Sequence, residues 1–383
     1  MKPTKPYKIA VVIPKYGLVG GAEGFAAELT ERFAQRDTYE MHVFANTWQV
    51  SSPSVHFHKI PIITFPKFLT TVSFAWFVQK ALETTPCDLI HSHDRIFSAD
   101  LYTMHGIPHR IWIDDVRRKK TPSLFDRATI AVEKKMVEGG CRRFLAVSGL
   151  TKEIFLREYP MAPEKVPIIH PGITIRETTA VQAERDREEV RRHYGIGPAD
   201  IVILFVSMNF DIKGLDAVLA GLGRFVEGNP QAPVKLLIAG KGNESHYKRL
   251  SQKLGIAERL IFTGIVDRGA LEKIYAAGDL YAMLSKFDTF GLVILEAMAA
   301  SLPVLISANV GAKDLVEEGE TGFVITDPTD TDAIANRLAI LLDERQRTIM
   351  AKAAFQTAQK CTWEETVKKV EALYKELLHE KHP

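Results

Sequence analysis

The sequence predicts an α/β protein of two doubly wound, Rossmann-like domains facing one another, followed by a C-terminal helix. Three observations lead there. Short β-branched runs alternate with helical patterns, the signature of parallel strands joined by helical crossovers. The alternation stops at a polar, sheet-poor stretch, ETTAVQAERDREEVRRHYGI (177–196), and then restarts. A chain of 383 residues exceeds one comfortable core and divides into two domains of ordinary size.

In the first half the strand candidates are KIAVVIP (8–14), YEMHVFA (39–45), VHFHKIP (55–61), DLIHSH (88–93), DLYTMHG (100–106), RFLAVS (143–148) and VPIIHPG (166–172). Helices are expected over AEGFAAELTERFAQR (22–36) and around 123–139. The second half offers IVILFVS (201–207), VKLLIAG (234–240), LIFTGIV (260–266), LYAMLS (280–285), PVLIS (303–307) and GFVIT (322–326). An amphipathic helix, TWEETVKKVEALYKELL (362–378), follows both. The expected domains are therefore 1–178 and 179–361, with 362–383 returning toward the first. Ligands of doubly wound sheets sit at the carboxyl ends of the strands, so the loops there are searched first.

Composition narrows the classes. The chain is 46% apolar and 25% charged, as globular proteins are, and its net charge of +2 argues against a dedicated nucleic-acid binder, which is usually much more basic. Cys87, Cys141 and Cys361 are far apart and lack metal-ligand spacing, so reduced thiols in a cytoplasmic protein are expected. The N-terminus, MKPTKPYKIAVVIP, enters a strand at once without a small-residue cleavage site, and no secretory signal is expected. The most apolar window, 62–78, is broken by Pro66 and Lys67, and no transmembrane helix is expected.

Four strand-end segments carry chemistry. In SKFDTFGLVILEAMAASLPVL (285–305), Asp288 precedes Gly291 and Glu296 follows inside an apolar run. A helix starting near Gly291 or Leu292 would point the amides of Phe290, Gly291, Leu292 and Val293 outward, a place for phosphate. The carboxylates would then suit sugar hydroxyls; equally, Asp288 could cap the helix and Glu296 be a half-buried acid near a favourable dipole. PKYGLVGGAEGF (14–25) sets Gly20 and Gly21 between strand and helix, either for close substrate approach or as a tight turn; its spacing is not G-x-G-x-x-G. In FVSMNFDIKGLD (205–216), Lys213 stands beside Gly214, as a phosphate contact or as a solvated lysine. HSHDRI (91–96) and YTMHGIPHR (102–110) place His91, His93 and His105 at strand ends, for polarising a substrate hydroxyl or as structural histidines. No HExxH or CxxC supports zinc among them, and DTD (330–332) reads as a helix cap, so no metal is expected.

Together these segments resemble the GT-B glycosyltransferases of family 4, retaining enzymes that use nucleotide sugars. The resemblance runs through GLVGGAE, YTMHG, FLAVSGLTKEIF, IIHPGI, DIKGLD, LIFTGIV, LEKIYAAGDLYAMLS and the acid-x7-acid motif ending in EAMAASLPVL. VVIPKYGLVGGAE and HVFANTW are most similar to the lipopolysaccharide core glucosyltransferase group. The resemblance implies a hexose, glucose in that group, moved from a UDP-sugar or related donor to a glycan or lipid-linked glycan acceptor. It implies no cofactor, no metal and no nucleic-acid partner. It also assigns roles: Lys213 at the donor diphosphate, Ser207 in the donor site, the backbone of Ile265-Val266 at the nucleobase, and Asp288 at the donor sugar. The amides of Phe290, Gly291 and Leu292 would meet phosphate, Glu296 the ribose, Gly20 and Gly21 the diphosphate and acceptor, and His105 the transferred sugar. Two positions depart from the pattern: Asp288 stands where Glu is usual, and Met208 where many members carry Arg. A nucleotide-sugar 2-epimerase of the same fold and a non-catalytic sugar-binding descendant are the rival readings.

One further segment, IPHRIWIDDVRRKKTPSLFDR (107–127), gathers Arg117, Arg118, Lys119 and Lys120 among interleaved apolar residues. Such a cluster suits an anionic bilayer, and peripheral contact with the inner face of the membrane is expected there; Asp114, Asp115 and Asp126 count against it.

Overall fold

The computed structural model describes residues 5–17, 20–49, 52–117, 121–175 and 179–381. The chain divides after Gly172, and the segment from Trp363 onward belongs with the first unit. The division therefore falls before the 178/179 boundary read from the sequence. Its physical mark is a stitch between the two passages of the chain: Ile173 pairs with Thr362, and the Ile173 amide donates to the Cys361 carbonyl at 2.8 Å.

The first unit is built on a six-stranded sheet. Its strands in chain order are Tyr7–Val12, Tyr39–Ala45, Val55–Lys59, Leu89–Ser92, Ala99–Met104 and Cys141–Ala146. They lie in the order third, second, first, fourth, fifth, sixth, with every pairing parallel. Parallel strands covered on both faces read as continuous apolar runs, which is why YEMHVFA and its neighbours stood out. VPIIHPG is not a strand. Pro167 has no N–H to give a ladder, so the segment adds one bridge, Ile168 to Ala146, with the Pro167 carbonyl accepting from the Ala146 amide at 3.0 Å.

The C-terminal helix, Trp363–Lys381, completes this core. Trp363, Val367, Val370, Tyr374, Leu377 and Leu378 recur at three- and four-residue spacing and are buried against Phe25, Phe33 and the first strand's neighbours. Tyr374 stacks on Phe33 with ring centroids 4.9 Å apart.

The second unit repeats the plan. Ile201–Ser207, Val234–Gly240, Leu260–Gly264, Leu280–Met283, Val304–Ser307 and Gly322–Ile325 form a parallel sheet in the same third-second-first-fourth-fifth-sixth order. The polar stretch expected as a break is in fact the helix Ala180–His193, capped by the Thr179 hydroxyl. It docks through charge rather than through an apolar stripe. Arg187 and Arg191 each donate to Asp279 at 2.6 Å, and Arg187 also reaches the Gly278 carbonyl at 2.9 Å, beside the end of the helix Arg268–Ala277.

Among the described residues no helix is long and apolar enough to cross a membrane. The three cysteines are half-buried and unbridged, and burial pushes the Cys87 thiol up to about 11 and the Cys141 thiol up to about 12.

Candidate active site

In the second unit the strand order reverses between Ile201–Ser207 and Leu280–Met283, which pair through Ile203 and Leu280. The loops leaving these two strands are pinned together. The Lys286 amide donates to the Ile212 carbonyl at 2.8 Å, and the Ser285 hydroxyl lies 2.9 Å from the same oxygen. Gly214 makes the approach possible. It is left-handed (φ +73°), and a Cβ there would stand 1.9 Å from the Leu284 carbonyl oxygen.

That stitching brings Lys213 to Asp288: Lys213 Nζ donates to Asp288 Oδ2. Both side chains are mostly shielded from water, at 24% and 17% exposure. Asp288 is held in place by its backbone, whose amide donates to Asn309 at 2.9 Å and whose carbonyl accepts from Gly311 at 3.0 Å.

The helix Leu292–Ala299 begins where the sequence placed it, with Gly291 at its N-cap (φ +90°) and no side chain capping it. Asp288 is thus not a helix cap; it pairs with Lys213. The Phe290 amide does not point outward but lies 3.3 Å from Asp288 Oδ1, because the turn folds back on that carboxylate. The amides of Leu292 and Val293 have no acceptor within the helix, as first-turn amides do not.

Glu296 sits one turn on and accepts a hydrogen bond from the Tyr275 hydroxyl at 2.8 Å. Burial holds its carboxyl above the usual carboxylate range, with the Tyr275 bond pulling the other way. Ser207 is buried and its hydroxyl accepts from the Asn209 amide at 2.8 Å, shaping the loop that presents Lys213. Ile265 follows the strand Leu260–Gly264 and is 63% exposed; Val266 is half-buried beside it. Met208, at the end of the strand Ile201–Ser207 and one strand removed in the sheet, is 59% exposed. Ile265 and Met208 are thus bare apolar side chains at the ends of two strands that flank Val234–Gly240.

In the first unit, Gly20 and Gly21 open the helix Gly21–Ala34. A Cβ at Gly20 would strike the Glu23 carboxylate, whereas nothing lies within 4 Å of one at Gly21, so that backbone is open to approach. His93 and His105 are paired, Nδ1 to Nε2 at 2.9 Å, and Phe25 from that helix meets the His105 ring edge-on at 5.0 Å. Burial pushes the His105 imidazole down to about 3 and that of His93 well below its ordinary range, so both are neutral donors or acceptors at physiological pH. His93 Nε2 is buried without a hydrogen-bond partner in the structure. His91 is wholly structural, with both ring nitrogens satisfied by Tyr374 and Thr103 at 2.7 Å. Asp94, which the sequence reading left aside, joins this end of the sheet with its carboxyl raised by burial.

DTD caps a helix as read: Asp330 accepts from the Ala333 amide at 2.9 Å and Asp332 pairs with Arg224 at 2.5 Å. Of the basic segment, Arg118, Lys119 and Lys120 lie outside the described residues. Arg117 Nη1 stands 3.9 Å from the buried Asp126, while Asp114 and Asp115 are engaged by Arg110 and Arg157 at 2.7 Å each.

Two family profiles match the chain: "Glycosyltransferase Family 4" over residues 19–177 and "Glycosyl transferases group 1" over residues 186–357. The chain belongs to the glycosyltransferases assembled from these two domains, and its fold is GT-B. A curated relative, the D-inositol 3-phosphate glycosyltransferase of Corynebacterium urealyticum, is 34% identical over 226 residues, 57% of this chain. The match spans about half of that relative, 53% of its length. Among solved structures, the chain is similar in fold to WaaG, a glycosyltransferase involved in lipopolysaccharide biosynthesis (TM-score 0.78, 22% identity, 94% of this chain and 98% of that one). It is similar also to Anabaena HepE in complex with UDP-glucose (TM-score 0.72, 20% identity, 97% and 100%).

Proposed function

We propose that the protein is a retaining hexosyltransferase that moves glucose from UDP-glucose to a glycan or lipid-linked glycan such as lipopolysaccharide core. The observation that carries this reading is the Lys213–Asp288 pair at the reversal of the second sheet, beside the open helix start at Leu292. A diphosphate needs cationic and amide donors, a sugar needs carboxylate acceptors, and here they alternate over a few ångströms. The UDP-glucose bound by HepE, a protein of this fold, supports the donor class.

In this reading the donor diphosphate takes Lys213 and the amides of Gly291 and Leu292, freeing Asp288 for the hydroxyls of the hexose. Glu296 takes the ribose, and Ile265, Val266 and Ser207 line the nucleoside end. Gly20, Gly21 and His105 of the first unit serve the transferred sugar and its acceptor. Departure of the diphosphate is assisted by charge and by oriented amides, and the acceptor attacks the face it leaves, which retains configuration. The reaction needs no metal in this scheme: Asp288 is given to the hexose hydroxyls and Glu296 to the ribose, while Asp330 holds a helix end and Asp332 pairs with Arg224. Transfer should survive excess chelator; loss with chelator and recovery with manganese would overturn that part.

A second acceptor class has its own support. The 34% identical relative is a D-inositol 3-phosphate glycosyltransferase, so a phosphorylated polyol competes with a glycan. The deciding experiment has two stages. A thermal-shift panel of UDP, GDP, ADP and their sugars identifies the donor, since a ligand of the folded state raises its melting temperature. The stabilising donor is then supplied with lipopolysaccharide core or with inositol phosphate, and the product's anomeric configuration is read. No stabilisation by any nucleotide sugar would refute the reading; epimerised free donor without an acceptor would favour the 2-epimerase.

Membrane contact belongs to the same proposal. A few residues after the Arg117–Lys120 segment in the sequence, Leu124 opens a helix and is 67% exposed; Phe65 is 87% exposed, and Lys67 of its loop lies over the Phe125 ring at 5.2 Å. Exposed aromatics beside basic residues suit an anionic lipid surface, which would hold the enzyme at the cytoplasmic face where lipid-linked acceptors lie.

A further inference from the structure

A group of histidines at the rim of the first sheet has no part in the transfer scheme. Glu40, His42 and Phe44 alternate along Tyr39–Ala45, and His56 and His58 alternate along Val55–Lys59, so each set lines one face of its strand. The parallel register sets His42 opposite His56 and Phe44 opposite His58. Val55–Lys59 is the outermost strand, which leaves the group half open to solvent: the His56 side chain is 58% exposed, and His42 is buried.

The ligand atoms converge. His42 Nε2 stands 2.8 Å from Glu40 Oε1 and His56 Nε2 3.7 Å from the same oxygen. One ligand atom from each of the three residues lies within 4.8 Å of the other two. Atoms bound to one tetrahedral zinc at about 2.0–2.1 Å are themselves roughly 3.4 Å apart, so a small turn of the exposed His56 ring admits the ion. The second nitrogen of His42 is also provided for: Nδ1 lies 2.9 Å from His58 Nε2. A ligating histidine characteristically gives its other N–H to such an outer partner, which fixes its tautomer. Phe44 stacks on His58 at 4.4 Å and holds that ring in place. Lys8 Nζ faces the Glu40 carboxylate at 3.9 Å, but it is half exposed and can withdraw into water.

We propose that Glu40, His42 and His56 form a three-ligand site for a divalent transition ion of the zinc type, with water in the fourth position and His58 as a positioning residue. Two imidazoles and one carboxylate suit zinc, nickel or copper better than magnesium or calcium. Bound there, the ion ties the outer strand to its neighbour and acts on stability, apart from the transfer reaction.

The test uses the full chain without a histidine tag, stripped with chelator and titrated with zinc by calorimetry and with cobalt(II) by visible absorption. One equivalent should bind, raise the melting temperature and give cobalt the intense bands of a four-coordinate ion. His56→Gln, at an exposed position that the fold does not need, should abolish saturable binding. His58→Gln should keep one equivalent and lose about 10- to 100-fold in affinity. His193→Gln and His246→Gln, at exposed sites in the second unit, should change nothing. Absence of saturable binding, or one-equivalent binding that survives His56→Gln, would overturn the proposal. An unchanged affinity in His58→Gln would remove its positioning role.

Discussion

Lys213 and Asp288, 75 residues apart in the chain, meet as an ion pair because two loops at the reversal of the second sheet are sewn together at Ile212, Ser285 and Lys286. Without donor each neutralises the other. With donor, diphosphate and sugar hydroxyls would replace the partners, so the pair is poised to exchange one set of contacts for another.

This exchange sets the first expectation. Lys213→Ala should lower turnover by about 100-fold or more, and by more than it weakens donor binding, because negative charge grows on the diphosphate as it leaves. Asp288→Asn should spare UDP and weaken UDP-glucose. Steady-state kinetics paired with calorimetric binding of both ligands separates the cases. Equal losses in binding and turnover at Lys213 would reduce it to a positioning group, and a wild-type rate would make it a surface lysine.

Glu296 sets the second. Glu296→Gln should weaken UDP binding and leave the ligand-free melting temperature nearly unchanged, since an acid whose carboxyl is raised by burial is a poor stabiliser when ionised. The sign in pH follows. Its folded-state pKa lies above the unfolded one, so the proton it holds favours the fold at low pH, and that contribution is lost as pH rises through the folded value. Nucleotide affinity runs the other way, because the ribose hydroxyls need the ionised acceptor. Wild-type affinity should therefore decline on acidification while still above the ordinary carboxylate range, and the Gln variant should not show that decline. Calorimetry across pH reads both; an unaltered UDP dissociation constant in the variant refutes the ribose role.

His91 predicts an acid-sensitive core. Burial pushes its imidazole down to about 3, and the unfolded chain titrates it near 6.5. Between these values the unfolded state holds a proton that the folded state refuses, so stability is fully present above about 6.5 and falls with acidification toward 3. This group alone contributes a slope of up to about 1.4 kcal/mol per pH unit. His91→Asn should be less stable at pH 7, by about 1–3 kcal/mol for the lost bonds to Tyr374 and Thr103. Its stability should nevertheless fall less steeply with acid. Urea midpoints measured over this window decide it, and parallel curves would show that His91 does not carry the proton difference.

For the basic segment, co-sedimentation with anionic vesicles should weaken as salt rises. Neutralising Arg117, Arg118, Lys119 and Lys120 together should abolish it without changing nucleotide affinity. If the quadruple variant still sediments, the anchor lies elsewhere, and Phe65→Ser with Leu124→Ser then tests the neighbouring apolar residues.

By itself the sequence determined whatever local periodicity encodes. YEMHVFA, IVILFVS and VKLLIAG are strands over the same residues in the structure, because strands of a parallel sheet are buried on both faces and leave unbroken apolar runs. The helix start at Gly291 was likewise legible from a glycine before an apolar run, and Asp330 from an acid before one. Where local signals were weak or misleading, tertiary structure decided. Ala180–His193 is a helix held by guanidinium groups on Asp279, which no hydrophobic pattern announces, and VPIIHPG fails as a strand because its prolines interrupt the ladder. Tertiary structure also decided which side chains meet. Lys213 reaches Asp288 through a strand order that skips two strands in the chain, and His42 faces His56 only through a register between neighbouring strands. Hydrophobic spacing is a property of a few consecutive residues; pairing order and register are settled by the energy of the whole sheet, and the chemistry of this protein is written in the pairs.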